Sequence, residues 1–357
     1  MMLPLVLVWA GVAVAAGVRS LEDIKNLVVF GDSYTDEGRL SWFIENGGRP
    51  PPPGTSISTS NSTASGGYSW PYFASLALGA TTFNYAVSGA TCSNELTPRN
   101  LEAINAPFPS VADYEVPAFL ADMAYMDPTT GTNTLYGEDF TENVRANNTV
   151  YALWIGTNDL GGNAFLSDSQ KRGATFADDF VDCIWHVFDS LYGAGGRHFV
   201  LFNTVPLERS PMYAAPQNGG EIVTRYWATK MNYNTTAYEQ KMHEYTTAVN
   251  RIFEYGAPFQ LLVKDRWPGA TFAVFDVHSL VEDIIAHPKR YLDEPADVVG
   301  FYWRCFNAEG DDCEGSQHPL SSFLWYDELH PSERTEEIIA EEFVKLVHGE
   351  SKYGSYY

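Results

Sequence analysis

Asn26-Leu27-Val28-Val29-Phe30-Gly31-Asp32-Ser33-Tyr34-Thr35 joins four consecutive apolar residues to a glycine and then to a serine. Such a run, with two β-branched residues, fits a strand buried on both faces of a parallel sheet. Gly31 and Asp32 then turn the chain. Ser33 falls at the carboxyl edge of the sheet, where open α/β folds place their chemistry, and is the candidate nucleophile. Gly-Asp-Ser also suits an ordinary turn or helix cap, so the partners of Ser33 must decide.

Further apolar runs predict strands over 82–86, 150–155, 199–202 and 272–275, each bounded by glycine or polar residues. Between them lie helical patterns. Trp70, Phe73, Ala74 and Ala77 predict a helix over 70–78, and Phe176, Phe180, Ile184, Val187, Phe188 and Leu191 recur at helical steps. A long helix is expected from about 224 to 255. Ser332 is expected to cap a last one carrying Ile338, Ile339, Phe343, Leu346 and Val347. Strands alternating with helices imply parallel βαβ units and an α/β fold. Residues 38–67, with four consecutive prolines from Pro50 to Pro53, read as mostly exposed loop, either bordering the active-site mouth or a glycosylated surface loop without a role.

The chain has 357 residues. Residues 1–20 read as a secretory signal peptide: the segment is apolar, ends in Ala13-Val14-Ala15-Ala16-Gly17, and lacks a basic n-region. Its apolar run is shorter than the roughly 20 residues of a comfortable membrane span, and no later run matches it. No linker divides the remainder, so 21–357 is expected to form one domain. Forty-five acidic against 22 basic residues leave a formal charge of −23, which argues against nucleic acid and anionic lipid as partners. Most of these charges read as a soluble surface.

Cys92, Cys183, Cys305 and Cys313 fit an oxidising compartment and allow three pairings. Cys305 and Cys313 are close together in a polar loop and are favoured as one pair, which leaves Cys92 with Cys183 by elimination. Sequons at Asn61, Asn147 and Asn234 agree with export.

Three more pieces bear on Ser33. Gly89 follows the second predicted strand in Val87-Ser88-Gly89-Ala90, and Asn158 follows the third in Ile155-Gly156-Thr157-Asn158-Asp159. An asparagine amide there offers a neutral donor to an oxygen that becomes negative only in the transition state. Trp325-Tyr326-Asp327-Glu328-Leu329-His330-Pro331-Ser332 sets a carboxylate three residues before an imidazole. One turn can place Asp327 against a ring nitrogen of His330, leaving the other nitrogen to take a serine proton.

Serine, glycine, Gly-x-Asn-Asp and Asp-x-x-His in this order resemble the four motif blocks of the SGNH or GDSL hydrolase superfamily, over residues 27–331. The resemblance implies a three-layer, flavodoxin-like α/β/α fold with a central parallel five-stranded sheet. It implies Ser33 as nucleophile, His330 as general base and then acid, and Asp327 as the residue orienting it. The oxyanion hole would use the backbone N–H groups of Ser33 and Gly89 and the Asn158 side chain. Tyr34 departs from the namesake motif, which has leucine there.

More narrowly, residues 28–39, 84–90 and 325–332 resemble secreted fungal acetylesterases of carbohydrate esterase family 16. These deacetylate sugars and short xylo-oligosaccharides, and no metal or other cofactor is expected here. An acetylated oligosaccharide is then the expected substrate and a monomer the expected state. Nine tryptophans and 21 tyrosines supply flat surfaces for sugar rings. Asp32, Tyr34 and Trp325, within the motif blocks, are the expected substrate contacts, whereas Trp154 reads as a core aromatic. No G-x-S-x-G elbow, H-E-x-x-H helix, P-loop or Rossmann fingerprint is present. Two other readings remain: an esterase of lipid or longer acyl chains, and an inactive glycan-binding protein.

Overall fold

The computed structural model describes residues 24–133, 135–136 and 147–357; the expected signal peptide lies outside them. Six strands form the central sheet: β1 (Asn26–Gly31), β2 (Thr81–Asn84), β3 (Thr149–Trp154), β4 (His198–Phe202), β5 (Thr271–Phe275) and β6 (Gly354–Tyr356), in the order β6-β5-β4-β3-β1-β2. The first five are parallel and β6 runs antiparallel along β5. Strands β1 and β3 are buried along their whole length. This is what a central parallel strand covered on both faces requires.

The five-stranded parallel core is therefore present, and the expected strand count is corrected to six. Strand β6 carries Gly354-Ser355-Tyr356, half-buried and without an apolar pattern. Its place comes from pairing with the edge of β5, with Tyr356 opposite Ala273.

Pleating assigns the two helical layers. Phe199 and Phe202 are three apart on β4 and so point to opposite faces. Phe202 meets Trp70 and Phe343, which belong to helices Trp70–Leu78 and Glu333–Val347. Phe199 meets Phe188, from helix Val181–Gly193. Ser332 caps the last helix, its hydroxyl accepting from the Thr335 N–H.

The order β2-β1-β3-β4-β5 reverses direction between β1 and β3. In doubly wound sheets a crevice opens at such a point, beyond the carboxyl ends of the strands. Gly31, at that end of β1, has φ +149°, and a Cβ there would lie 2.2 Å from the Trp154 carbonyl oxygen. Only glycine lets β1 and β3 approach so closely at the crevice.

Two predicted segments differ. The loop after β1 contains a short helix, Arg39–Glu45. The long helix expected from about 224 begins only at Thr235 and runs to Pro258, with Asn234 as its N-cap. The eleven residues before it pack irregularly: the Thr224 hydroxyl donates to the Trp227 carbonyl, Trp227 is buried against Tyr213 and Tyr233, and Lys230 donates to the carbonyls of Pro211, Ala214 and Glu221. These tertiary bonds outweigh a local helical preference.

Cys92 pairs with Cys183 and Cys305 with Cys313. The first tie joins the loop after β2 to helix Val181–Gly193, and the second closes a two-stranded ribbon. Asn61, Asn147 and Asn234 are all exposed. No helix among the described residues is long and apolar enough to cross a membrane.

Candidate active site

Buried carboxylates stitch together the loops at the carboxyl edge. Asp36 accepts from the backbone N–H groups of Gly38, Arg39 and Leu40, and from that of Ser88 at 2.7 Å. Glu115 accepts from the N–H groups of Gly31 and Val87. Asp159 accepts from the Cys92 N–H and the Thr97 hydroxyl. One carboxylate has about four lone-pair sites, enough to satisfy several loop N–H groups that no ladder can reach. The turns bearing Ser33, Gly89 and Asn158 are thereby locked to one another.

Within this frame the Ser33 hydroxyl lies 2.8 Å from His330 Nε2, although 297 residues separate them. On its other side His330 Nδ1 lies 2.8 Å from Asp327 Oδ1 and 3.0 Å from Oδ2. A carboxylate only accepts, so Nδ1 carries the ring proton and Nε2 presents its lone pair to the serine hydroxyl. Asp327 Oδ1 also accepts from the N–H groups of Leu329 and His330. Burial pushes the Asp327 carboxyl up, but the adjacent imidazole, the Arg225 guanidinium and these hydrogen bonds outweigh it and hold the group below its ordinary range.

Ser33 and His330 open onto a cavity of about 390 Å³, whose wall also includes Gly89 and Asn158. Gly89 has φ +90°, and a Cβ on it would run into the Phe108 ring. The N–H groups of Ser33 and Gly89 donate to no acceptor among the described residues. The Asn158 amide nitrogen gives one hydrogen to the Ala90 carbonyl at 2.9 Å, which orients it and leaves its second hydrogen free.

Three expected contacts are corrected. Asp32, Tyr34 and Trp325 are almost fully buried and none belongs to the cavity wall. The Tyr34 hydroxyl donates to the Leu329 carbonyl, and its ring packs edge-on against Trp154 and His330, so it supports the imidazole from beneath. Trp325 lies on the buried strand Phe323–Trp325. Proximity in sequence to a motif does not fix which side of the floor a side chain takes. Trp154 is a core aromatic, stacked on Phe202.

The wall is built instead by Leu40, Thr63, Arg99, Phe108, Tyr213 and Tyr226, which the motifs do not mark. Arg99 was detectable only as a cation in an acidic chain. It donates to the Gly89 carbonyl and lies over the Phe108 ring. A larger cavity, about 620 Å³, lies beside the Cys92–Cys183 disulfide and includes neither Ser33 nor His330. Among the described residues, Glu208, His278 and Glu282 have ligand atoms within 4.8 Å of one another, but they share no residue with the cavity at Ser33 and His330.

Desolvation pushes Asp32 up to about 6, and Glu37 and Asp159 up to about 7. An unfolded chain releases these protons near pH 4, so between about pH 5 and 7 the folded state binds more protons. Stability should therefore fall as pH rises through that window, with three carboxyls acting in this sense against an opposite contribution from His198, which burial lowers. Calorimetric melting from pH 5 to 7.5 tests this: a falling melting temperature is expected, and a rising one would contradict the assignment.

The family model for GDSL-like Lipase/Acylhydrolase matches residues 27–343. An acetylesterase of Hypocrea jecorina is 45% identical over 336 residues, covering 94% of this chain and 92% of that protein. An acetylesterase of Thermothelomyces thermophilus is 23% identical, covering 93% and 91%. The crystal structure of a possible lipase from Chitinophaga pinensis is 15% identical, with a TM-score of 0.38, and covers 91% of this chain and 98% of that one. By the family match across most of its length, and by its identity to the first of these relatives, the chain belongs to the GDSL-like lipase/acylhydrolase family.

Proposed function

We propose that this protein is a secreted acetylesterase that removes acetyl groups from carbohydrate, with acetylated xylo-oligosaccharides or sugar acetates as substrates, acting as a monomer and without a cofactor. The observation that carries the catalytic part is the 2.8 Å contact between Ser33 Oγ and His330 Nε2 at a cavity with unengaged donors. The relatives named acetylesterase support the acetyl group, and the two disulfides suit an exported protein.

In the first step Ser33 Oγ attacks the acetyl carbonyl while His330 Nε2 takes its proton. Negative charge gathers on the carbonyl oxygen, where the Ser33 and Gly89 N–H groups and the free Asn158 hydrogen receive it. Asp327 keeps the imidazolium oriented. His330 then returns the proton to the departing sugar oxygen, leaving acetyl-Ser33. A water deprotonated by His330 then attacks that ester, and His330 returns the proton to Ser33 Oγ as its bond to the acyl carbon breaks and acetate leaves.

The cavity is small among ligand sites, which run from about 300 to 1,000 Å³. Ser62, Thr63 and Asn163 offer hydroxyl and amide groups at its wall, and Phe108, Tyr213 and Tyr226 offer flat rings. That mixture suits an acetylated sugar better than a long acyl chain. Acetate release from acetylated xylo-oligosaccharides, compared with acetylated polymer, tests the substrate. A series of nitrophenyl esters tests the acyl group: acetate should exceed octanoate, and the reverse would favour a lipase. Labelling by a serine-directed phosphonate separates both from an inactive glycan-binding protein, which would stay unmodified.

Asn158→Ala should lower kcat on p-nitrophenyl acetate by about 10²–10³-fold, the usual cost of one oxyanion donor. A folded variant of unchanged kcat would remove Asn158 from the oxyanion hole.

A further inference from the structure

The wall of the cavity at Ser33 carries a cation with no counter-ion. Among the described residues that form this wall none is aspartate or glutamate, although the chain has 45 acidic residues, and Arg99 is the one permanent charge. Its guanidinium gives one hydrogen bond, from Nη1 to the Gly89 carbonyl, and lies 5.0 Å from the centre of the Phe108 ring. Nε and Nη2 donate to no acceptor among the described residues, and neither is sealed from solvent. A guanidinium has five N–H donors, so most of them are unused.

The carboxylates that act on Arg99 stand behind the wall and do not pair with it. Asp159 accepts from the Cys92 N–H and the Thr97 hydroxyl, Asp32 Oδ1 accepts from the Tyr34 N–H, and Asp32 Oδ2 has no hydrogen-bond partner. Removal from water lowers the Arg99 pKa, and Tyr213, Asp159 and Asp32 offset that only in part. Charges taken out of water are ordinarily paired, because an unpaired one loses hydration without compensation. This one is nevertheless held in place. Arg99 and Phe108 face each other at the open end of the ribbon formed by Asn100–Leu101 and Ala106–Pro107, where the Phe108 N–H donates to the Arg99 carbonyl at 3.0 Å. A fixed guanidinium with unused donors has the geometry to receive an anion.

Resting on the acetylesterase reading above, we propose that Arg99 is a specificity-determining residue that binds a carboxylate on the substrate, so that the enzyme prefers acetylated acidic sugars, of the uronic acid class, over neutral ones. A carboxylate accepts two parallel N–H bonds from one guanidinium, which fixes orientation as well as adding affinity. Arg99 bonds to Gly89, whose N–H belongs to the oxyanion hole, so an acid group held there is within reach of the sugar whose acetyl group is attacked. A wall free of carboxylates removes the repulsion that such a substrate would otherwise meet. The formal charge of −23 repels long polyanions lying along the surface, whereas a single carboxylate inside the cavity meets Arg99 at short range.

The test compares acetate release from three fully O-acetylated methyl glycosides: the xyloside, the glucuronoside with its free carboxylate, and the glucuronamide, which is the neutral isostere of the second. For each, kcat/KM is measured with wild type, Arg99→Gln and Arg99→Lys, and folding is checked by circular dichroism. Wild type should favour the carboxylate over the amide by about tenfold to hundredfold, the range of a hydrogen bond to a charged group, with most of the difference in KM. Arg99→Gln can still donate to the Gly89 carbonyl but has no charge, so the ratio should fall to about one. Arg99→Lys keeps the charge without the planar fork and should retain part of the preference. A general loss of activity in a variant cancels in the ratio, because both sugars are cleaved at the same site.

A wild-type ratio of one or below would overturn the proposal whether or not the variants fold, and so would a ratio that survives in folded Arg99→Gln. Cleavage of the neutral xyloside without any preference for the carboxylate would overturn this proposal alone and leave the carbohydrate reading standing. Cleavage of p-nitrophenyl acetate with none of the three sugars deacetylated would overturn both.

Discussion

Ser33→Ala is expected to abolish turnover, lowering kcat on p-nitrophenyl acetate by about a millionfold, the scale at which loss of a nucleophile leaves only residual catalysis by oxyanion stabilisation and binding. The substitution removes a single oxygen from a residue that is 6% exposed. The carboxylates that lock the loops, Glu115 and Asp36, accept from the backbone N–H groups of Gly31 and Ser88, neither of which it alters. The one hydrogen bond lost, to His330, contributes about 1 kcal/mol net, so the melting temperature should move little. Activity and stability are thus expected to separate cleanly. A variant that melts normally and still releases acetate at the wild-type rate would end the assignment of Ser33.

Asp327→Asn should cost about ten-thousandfold in kcat while leaving Ser33 and His330 in place, because the amide cannot fix the imidazole tautomer as a carboxylate does. Here the surroundings make the replacement worse than a simple loss of charge. Oδ1 accepts two backbone N–H groups, and Oδ2 accepts Arg225 and Tyr226. Whichever way the asparagine is turned, its NH₂ faces donors. Arg225 also loses the nearer of its two carboxylate partners, in a site where the Asp327 side chain is 2% exposed. Unlike Ser33→Ala, this variant should therefore lose stability as well, by several kcal/mol, since breaking one member of a buried charged pair typically costs about 3–5 kcal/mol. Denaturant melts alongside kinetics check both. A variant keeping more than a tenth of wild-type kcat would remove Asp327 from the triad.

The two predictions differ because the two residues are held differently. Ser33 is presented by a turn whose backbone bonds do not use its side chain. The Asp327 carboxylate is itself the hub of its loop, binding the N–H groups of Leu329 and His330 as well as the ring. This double duty explains why Asp and His stand three residues apart: the loop that presents the imidazole is closed by the same carboxylate that orients it.

Much of this was legible from local pattern. Strands β1, β3, β4 and β5 each begin within a residue of where their apolar runs do. Buried parallel strands must be apolar on both faces, and that signal survives without knowledge of the neighbours. The Asp327–His330 pair was readable because three residues bring the two side chains into reach. Gly89 and Asn158 were readable because they lie in the turns that follow strands at one edge of the sheet.

What failed to show were features whose stabilising partners are remote in sequence. Strand β6 forms because β5 offers an unpaired edge, about eighty residues earlier. The stretch 224–234 has helix-compatible residues, yet Trp227 finds a better place among Tyr213 and Tyr233, and Arg225 finds Asp327 102 residues away. Tyr34 and Trp325, though inside motif blocks, turn into the core because their large apolar surfaces are better removed from water there.

The amino-acid order by itself determined the strand positions, the alternation with helices and the four chemical pieces, since each rests on steric and hydrophobic preferences within a few residues. Tertiary structure alone decided that the pieces converge at the crevice between β1 and β3, that the cavity wall is lined by Arg99, Phe108, Tyr213 and Tyr226, and that Arg225 stands behind Asp327. Those outcomes depend on which distant surfaces bury one another, and no short window of residues carries that energy.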